Sequence, residues 1–194
     1  FRKAEFFYKK SIALNENIPE PHNNLGTLYS TLNKIENAID SYKKAIEIDP
    51  NFFWAYYNLA TTHTSLGNYS DGEKAFEKTI KINPYFCPAH RNLSRVKKYK
   101  KDDKHLTQMQ NIYQNKKIDN NQRKELAFAL GKAYEDIGDY VSSFEYYKDA
   151  NDLHRQNFNF SIQEETKDFE KIKETYKNRL FKKSTGSSAY YPKI

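Results

Sequence analysis

The chain has 194 residues, 38% hydrophobic and 29% charged, with a mean hydropathy of −0.97 and no long uncharged apolar run, which excludes a transmembrane helix. Sixteen Tyr, thirteen Phe and one Trp are too much aromatic surface for a disordered chain, while a single cysteine, Cys87, excludes an internal disulfide and any cysteine-based zinc cluster. Lys and Arg number 32 against 25 Asp and Glu, and the net +7 by itself suits a nucleic acid, an anionic membrane surface or a solvated face.

The first residues, Phe1-Arg2-Lys3-Ala4-Glu5-Phe6-Phe7-Tyr8, read as the middle of an amphipathic helix, and the only methionine is Met109. The chain is therefore expected to be a fragment that opens inside a structural unit. Beyond residue 18, two segments align without gaps at a shift of 34, residues 19–52 and 53–86. The first carries His22, Leu25-Gly26, Tyr29, Ala38, Tyr42 and Pro50, and the second Tyr56, Leu59-Ala60, His63, Gly72, Phe76 and Pro84 in the same places. A third unit opens at Cys87 with His90, Leu93 and Ser94 and loses the pattern after Lys97. A last one recovers it with Leu130-Gly131, Tyr134, Gly138-Asp139-Tyr140, Tyr147 and Ala150.

Each unit predicts a helix pair. Small residues (Gly26, Ala60, Ser94, Gly131) let the two helices approach, and large ones (Tyr29, Tyr42, Phe76, Tyr134, Tyr147) fill the space between neighbours. Asn17, Asn33, Asp49-Pro50-Asn51, Gly67-Asn68, Asn83-Pro84 and Gly138-Asp139 supply turns. No stretch alternates with period two for long, so no strand is expected. Ser161-Ile162-Gln163-Glu164 matches a capping box ahead of a face formed by Ile162, Phe169, Ile172, Tyr176 and Leu180.

These places resemble the tetratricopeptide repeat (TPR), with its W-x2-L-G-x2-Y, A-x3-F and P spacing. The resemblance implies an all-α, TPR-type helical-hairpin solenoid, a right-handed superhelix closed by a C-terminal capping helix. The expected division is a TPR-like array over 1–156, made of a partial repeat 1–18, repeats 19–52 and 53–86, a degenerate unit 87–118 and a last repeat 124–156. A capping helix over 157–182 and a linker over 183–194 follow.

Catalysis finds no support in the residues. His22, His63, His90, His105 and His154 show no metal-ligand spacing, and His22, His63 and His90 occupy bulky core slots of the repeat. Cys87 has no histidine at a motif spacing, Gly186-Ser187-Ser188 lacks the lysine of a phosphate loop, and the acids Asp102-Asp103 and Glu164-Glu165 suit helix starts. No catalytic residue, metal or cofactor is expected.

In a solenoid of this type the first helix of each pair lines the inner groove. Asn24, Asn58 and Asn92 recur there at 34-residue intervals, each before the leucine of its repeat, and an amide both donates to and accepts from an extended peptide backbone. The row resembles the asparagine ladder in the TPR superhelix of O-linked N-acetylglucosamine transferase. It stops at Ala129. Arg91, Arg95 and Lys98 lie at i, i+4 and i+7 on the third unit's first helix, matched by Tyr57, Thr61 and Thr64 in the second unit and Asn23, Thr27 and Ser30 in the first.

Residues 91–124 hold eleven Lys and Arg against three Asp and Glu, so the excess charge is local. The reading is a protein-interaction module that takes an extended, acidic peptide, through Asn24, Asn58, Asn92, Tyr57, Thr61, Arg91, Arg95 and Lys98. The carboxylate clamp of some Hsp-binding TPR domains is not reproduced. No nucleic-acid motif is present, no membrane partner is expected, self-association is a structural alternative, and a cytoplasmic location is assumed.

A second resemblance covers residues 90–194. Asn92-Leu93-Ser94-Arg95-Val96-Lys97-Lys98-Tyr99, His105-Leu106-Thr107-Gln108-Met109-Gln110 and Phe128-Ala129-Leu130-Gly131-Lys132-Ala133-Tyr134 look like the linker of bacterial proteins that fuse TPRs to a sulfotransferase. It implies an alternative, the substrate-recruiting part of such an enzyme, with Tyr191-Pro192-Lys193-Ile194 leading into the first catalytic strand.

Overall fold

A computed structural model of the chain describes residues 1–156 and 162–183. Among the described residues there are ten helices and no strand: α1 Arg2–Leu14, α2 Pro19–Thr31, α3 Ile35–Ile48, α4 Phe53–Ser65, α5 Tyr69–Ile82, α6 Cys87–Val96, α7 Lys104–Tyr113, α8 Asn120–Asp136, α9 Tyr140–Gln156 and α10 Ile162–Lys183. They form two compact units, residues 1–154 and 155–194. In the first, helices pack mainly on their chain neighbours, as in an all-α solenoid of TPR-type hairpins. In the second, α10 exposes Phe169, Ile172 and Tyr176, three members of the apolar face expected for a capping helix. The proposed capping-box serine, Ser161, and the linker residues 184–194 lie outside the described residues.

The turn chemistry is repeated with the period of the sequence. Asn33, Gly67 and Gly138 each follow a first helix with positive φ, 56°, 80° and 81°. After each, the next N–H reaches back five residues, Lys34 to Tyr29 O, Asn68 to His63 O and Asp139 to Tyr134 O, at 2.8–3.0 Å, which closes the helix with a Schellman turn. The second helices end on extended residues: Asn15, Asp49 and Asn83 each accept, on a side-chain oxygen, the N–H two residues on.

Within a hairpin the small residue sets the distance. A Cβ added to Gly26 would stand 2.6 Å from the Tyr42 ring, and one added to Gly131 would stand 2.8 Å from Tyr147. Tyr42 is 2% exposed and packs with Leu25, Leu28, Tyr29 and Ala38, so its ring has nowhere to retreat. The second hairpin builds the matching layer from Ala60, Ala75, Phe76 and Ile80, joined by Ala89 and Leu93 of α6.

The third unit departs from the pattern where the sequence loses it. α6 stops at Val96, residues 97–103 run without helix, Asp102 takes φ 66°, and Asp103 caps the ten-residue α7 by accepting the His105 N–H at 2.8 Å. What holds this segment is a buried relay. His90 Nε2 donates to Pro84 O, because a carbonyl can only accept; His90 Nδ1 is then the acceptor for His105 Nε2–H, and His105 Nδ1 accepts the Tyr99 hydroxyl, each at 2.8 Å. The relay ties the end of α5, α6, the irregular segment and the start of α7 together with both imidazoles neutral.

Burial pushes the His90 pKa down to about 4 and that of His105 down to about 3, the latter aided by His90 and Lys97 and opposed by Asp103. Both values lie below the unfolded reference of about 6.5, so the unfolded chain binds more protons in this window. The expected outcome is a melting temperature that is steady above pH 6.5 and falls steeply from pH 6.5 to 4. The fall should flatten in His105→Gln, and thermal melts by circular dichroism across that range decide it. Gly26→Ala should cost about 1–3 kcal/mol by overpacking against Tyr42. Urea titration reads this, with Tyr42→Leu expected to recover part of the loss.

Candidate functional site

The first helices α2, α4, α6 and α8 contact one another in sequence, so their shared faces form one surface. Asn58 Nδ2 donates to Asn23 Oδ1 at 2.9 Å, and Asn92 Nδ2 donates to the Tyr57 hydroxyl at 3.0 Å. Both bonds reach back 35 residues, from one ladder position to the residue before the previous one. Each amide is thus oriented by the preceding repeat; Asn58 Nδ2 also reaches Thr27 Oγ1 at 3.4 Å, while the second N–H of Asn92 and the Oδ1 of both stay uncommitted among the described residues. Asn58 and Asn92 therefore also join one repeat to the next. Asn24 differs: it is exposed, and the amide from Asn58 goes instead to the buried Asn23. Burial pushes the Tyr57 hydroxyl pKa up, and the Asn92 amide opposes this.

The hydroxyls of the row are spent on their own helices. Thr27 donates to Asn23 O, Thr61 to Tyr57 O and Thr64 to Ala60 O, at 2.8–3.2 Å. Thr27 in turn accepts the Asn58 amide at 3.4 Å, and the exposed Thr61 has only lone pairs to offer a ligand. Beside them Trp54, 43% exposed, packs against Phe53, Tyr57 and Phe86, with the Phe86 centroid 4.9 Å away. This aromatic cluster was not singled out in the sequence. Its signal was there, in the run Phe52-Phe53-Trp54 and the Phe86 that lies 34 residues beyond Phe52.

The three cations of the expected row do not share one helix, because α6 ends at Val96 and Lys98 lies in the irregular segment beyond it, and they have separate fates. Arg91 binds Glu125 at 2.8 Å and lies 4.4 Å over the Phe128 ring. Lys98 binds Asp136 at 2.7 Å, and Lys132 meets the same carboxylate at 2.5 Å. The Tyr99 N–H donates to its other oxygen. Arg95 is exposed and makes no ion pair with a described residue. The expected cationic row is therefore two-thirds neutralised by the next repeat. The neutralising acids sit on the first helix of the last unit, and Glu125 lies one 34-residue period after Arg91. The Asp136 side chain is 1% exposed. Burial raises its pKa, yet bonds from Lys132, Lys98 and the Tyr99 amide outweigh that and leave it below the ordinary carboxylate value.

Reactive groups elsewhere are occupied or silenced. Cys87 is buried, its thiol donates to Tyr85 O at 3.4 Å, and burial pushes its pKa up to about 12. His63 keeps Nδ1 buried and unbonded, and His22 meets Glu16 O. Among the described residues no three of His, Cys, Asp and Glu come together as metal ligands, and no helix is long and apolar enough to cross a membrane.

Residues 28–67 match a TPR repeat family model, and residues 53–86 match a second, described as tetratricopeptide repeat. None of the curated proteins matches the chain. Among solved structures, a crystal structure of MamA is 23% identical, covering 77% of this chain and 85% of that one at a TM-score of 0.57. A MamA double mutant from strain RS-1 is 19% identical, with coverage of 82% and 88% and a TM-score of 0.58. MamA from residue 41 to its end, from Desulfovibrio magneticus RS-1, gives 19%, 80%, 86% and 0.56. At these identities the likeness is one of fold. Nothing in the comparisons supports the resemblance to sulfotransferase fusions, and residues 191–194, on which its strand rests, lie outside the described residues.

Removing the Asp136 carboxylate leaves two lysines and the Tyr99 N–H without their common acceptor. Asp136→Ala should therefore lower stability by about 2–3 kcal/mol. Denaturant unfolding measures this, and a loss within 0.5 kcal/mol, about what a surface substitution gives, would remove the clamp role.

Proposed function

We propose that this protein-interaction scaffold takes an extended segment of a partner protein along the first-helix face, gripping its main chain through the asparagine row. One observation carries the reading: Asn58 and Asn92 are each held by a bond to the previous repeat, 35 residues back. Fixing the amide in advance removes the rotamer cost of binding; the Oδ1 of each can accept from extended backbone, and the second N–H of Asn92 can donate to it. Asn24, exposed and accepting the Asn23 amide on its Oδ1 at 3.5 Å, serves as a further rung. Tyr57, Thr61 and the Trp54 cluster give the face an aromatic and hydroxyl-lined stretch, and Arg95 gives it a cation. Arg91 and Lys98 belong to the same surface but act through their bonds to the last repeat.

A twelve-residue peptide library displayed on phage and selected on the chain supplies the probe. Titration calorimetry of an enriched peptide is expected to show at least a tenfold loss of affinity in Asn58→Ala with Asn92→Ala. A comparable loss should follow when alternate peptide bonds of the ligand are N-methylated. Unchanged affinity in either arm would show that the main chain is not what the row holds.

A further inference from the structure

We infer that the space around Arg95 is a subsite for one carboxylate, the Asp or Glu side chain of the bound segment, and that it excludes phosphate groups and acidic runs. The inference rests on the groove reading and narrows the partner's chemistry. Arg95 stands at a pocket of about 370 Å³ whose lining includes Thr61, Thr64, Ser65, Tyr69 and Asn92. Of Arg91, Arg95 and Lys98 it is the cation left without an acid among the described residues, since Arg91 and Lys98 are bound to Glu125 and Asp136. A guanidinium fork meets one carboxylate with two parallel bonds, and the second N–H of Asn92 adds a donor.

The remaining lining sets the upper limit on charge. Thr61, Thr64 and Ser65 donate their protons to Tyr57 O, Ala60 O and Thr62 O, so they have lone pairs and not protons to offer the pocket. A dianion with three acceptor oxygens would face those lone pairs with one guanidinium and one amide to satisfy it. Toward the last repeat Arg91 is already matched by Glu125, and Lys98 and Lys132 by Asp136, so a second acid on the ligand gains no unpaired cation from them. A single negative charge at one place, with neutral or basic neighbours toward α8, is what the arrangement accommodates.

The full chain and the same displayed library test this. Enriched peptides should share Asp or Glu at one position, and selection on Arg95→Glu should replace it with Lys or Arg. Changing that acid to its amide should weaken binding at least tenfold on the natural chain and less than twofold on Arg95→Gln. Phosphoserine in its place, or a peptide ending there in a free C-terminal carboxylate, should bind no tighter than the internal acid. Peptides that depend on Asn58 and Asn92 but share no acidic position, or that bind tighter with phosphoserine or a free terminus, overturn the subsite and leave the groove reading standing. If no peptide is enriched, or those enriched ignore Asn58 and Asn92, both fall. Arg95 is exposed, so its variants should melt with the natural chain, which circular dichroism checks first.

Discussion

The solenoid depends on how closely two helices of a hairpin approach. At Gly26 and Gly131 the separation is set by a tyrosine ring lying where a side chain would begin, and at Gly26 that ring is trapped by the layer on its other side. Since each layer packs on the next, this spacing places the first helices side by side and sets the distance that the Asn58 and Asn92 amides span to the preceding repeat. The surface chemistry of the face is thus a consequence of hairpin packing.

The third unit shows what replaces that packing when its residues are missing. Without a full second helix, the segment after Val96 is held by directional polar bonds: the relay through His90, His105 and Tyr99, and the Asp136 carboxylate that collects Lys98, Lys132 and the Tyr99 amide. Buried polar bonds are costly when unsatisfied, so the alternative must be complete. Here each relay nitrogen has a partner. That replacement consumes Lys98, and Glu125, on the same helix as Asp136, consumes Arg91, so two of the three cations of the face are bound. The most basic stretch of the chain is therefore less available to an anion than its count suggests.

Much of this was legible in order along the chain. The 34-residue period, the small and large residues that pack a hairpin and the Asn or Gly that takes positive φ are local or periodic, and each left its mark at a fixed spacing. The asparagine row was legible for the same reason. The start of α8 was less so: Asp119 and Gln122 form a capping box that moves the helix start to Asn120, four residues ahead of the expected last repeat.

By itself, then, the sequence determined that the chain is an all-α array of hairpins with its turns at set places, because hydrophobic spacing and turn chemistry act between residues close in the chain. Only the tertiary structure decided which polar groups are free. Arg91, Lys98 and Asp136 pair across 34 to 38 residues, Asn58 bonds Asn23 rather than Asn24, and His90 meets His105 across an irregular segment. Pairings of this kind depend on the rotation and distance of one helix against the next, and a repeat period constrains that geometry without specifying which side chain of the neighbouring face it brings within reach.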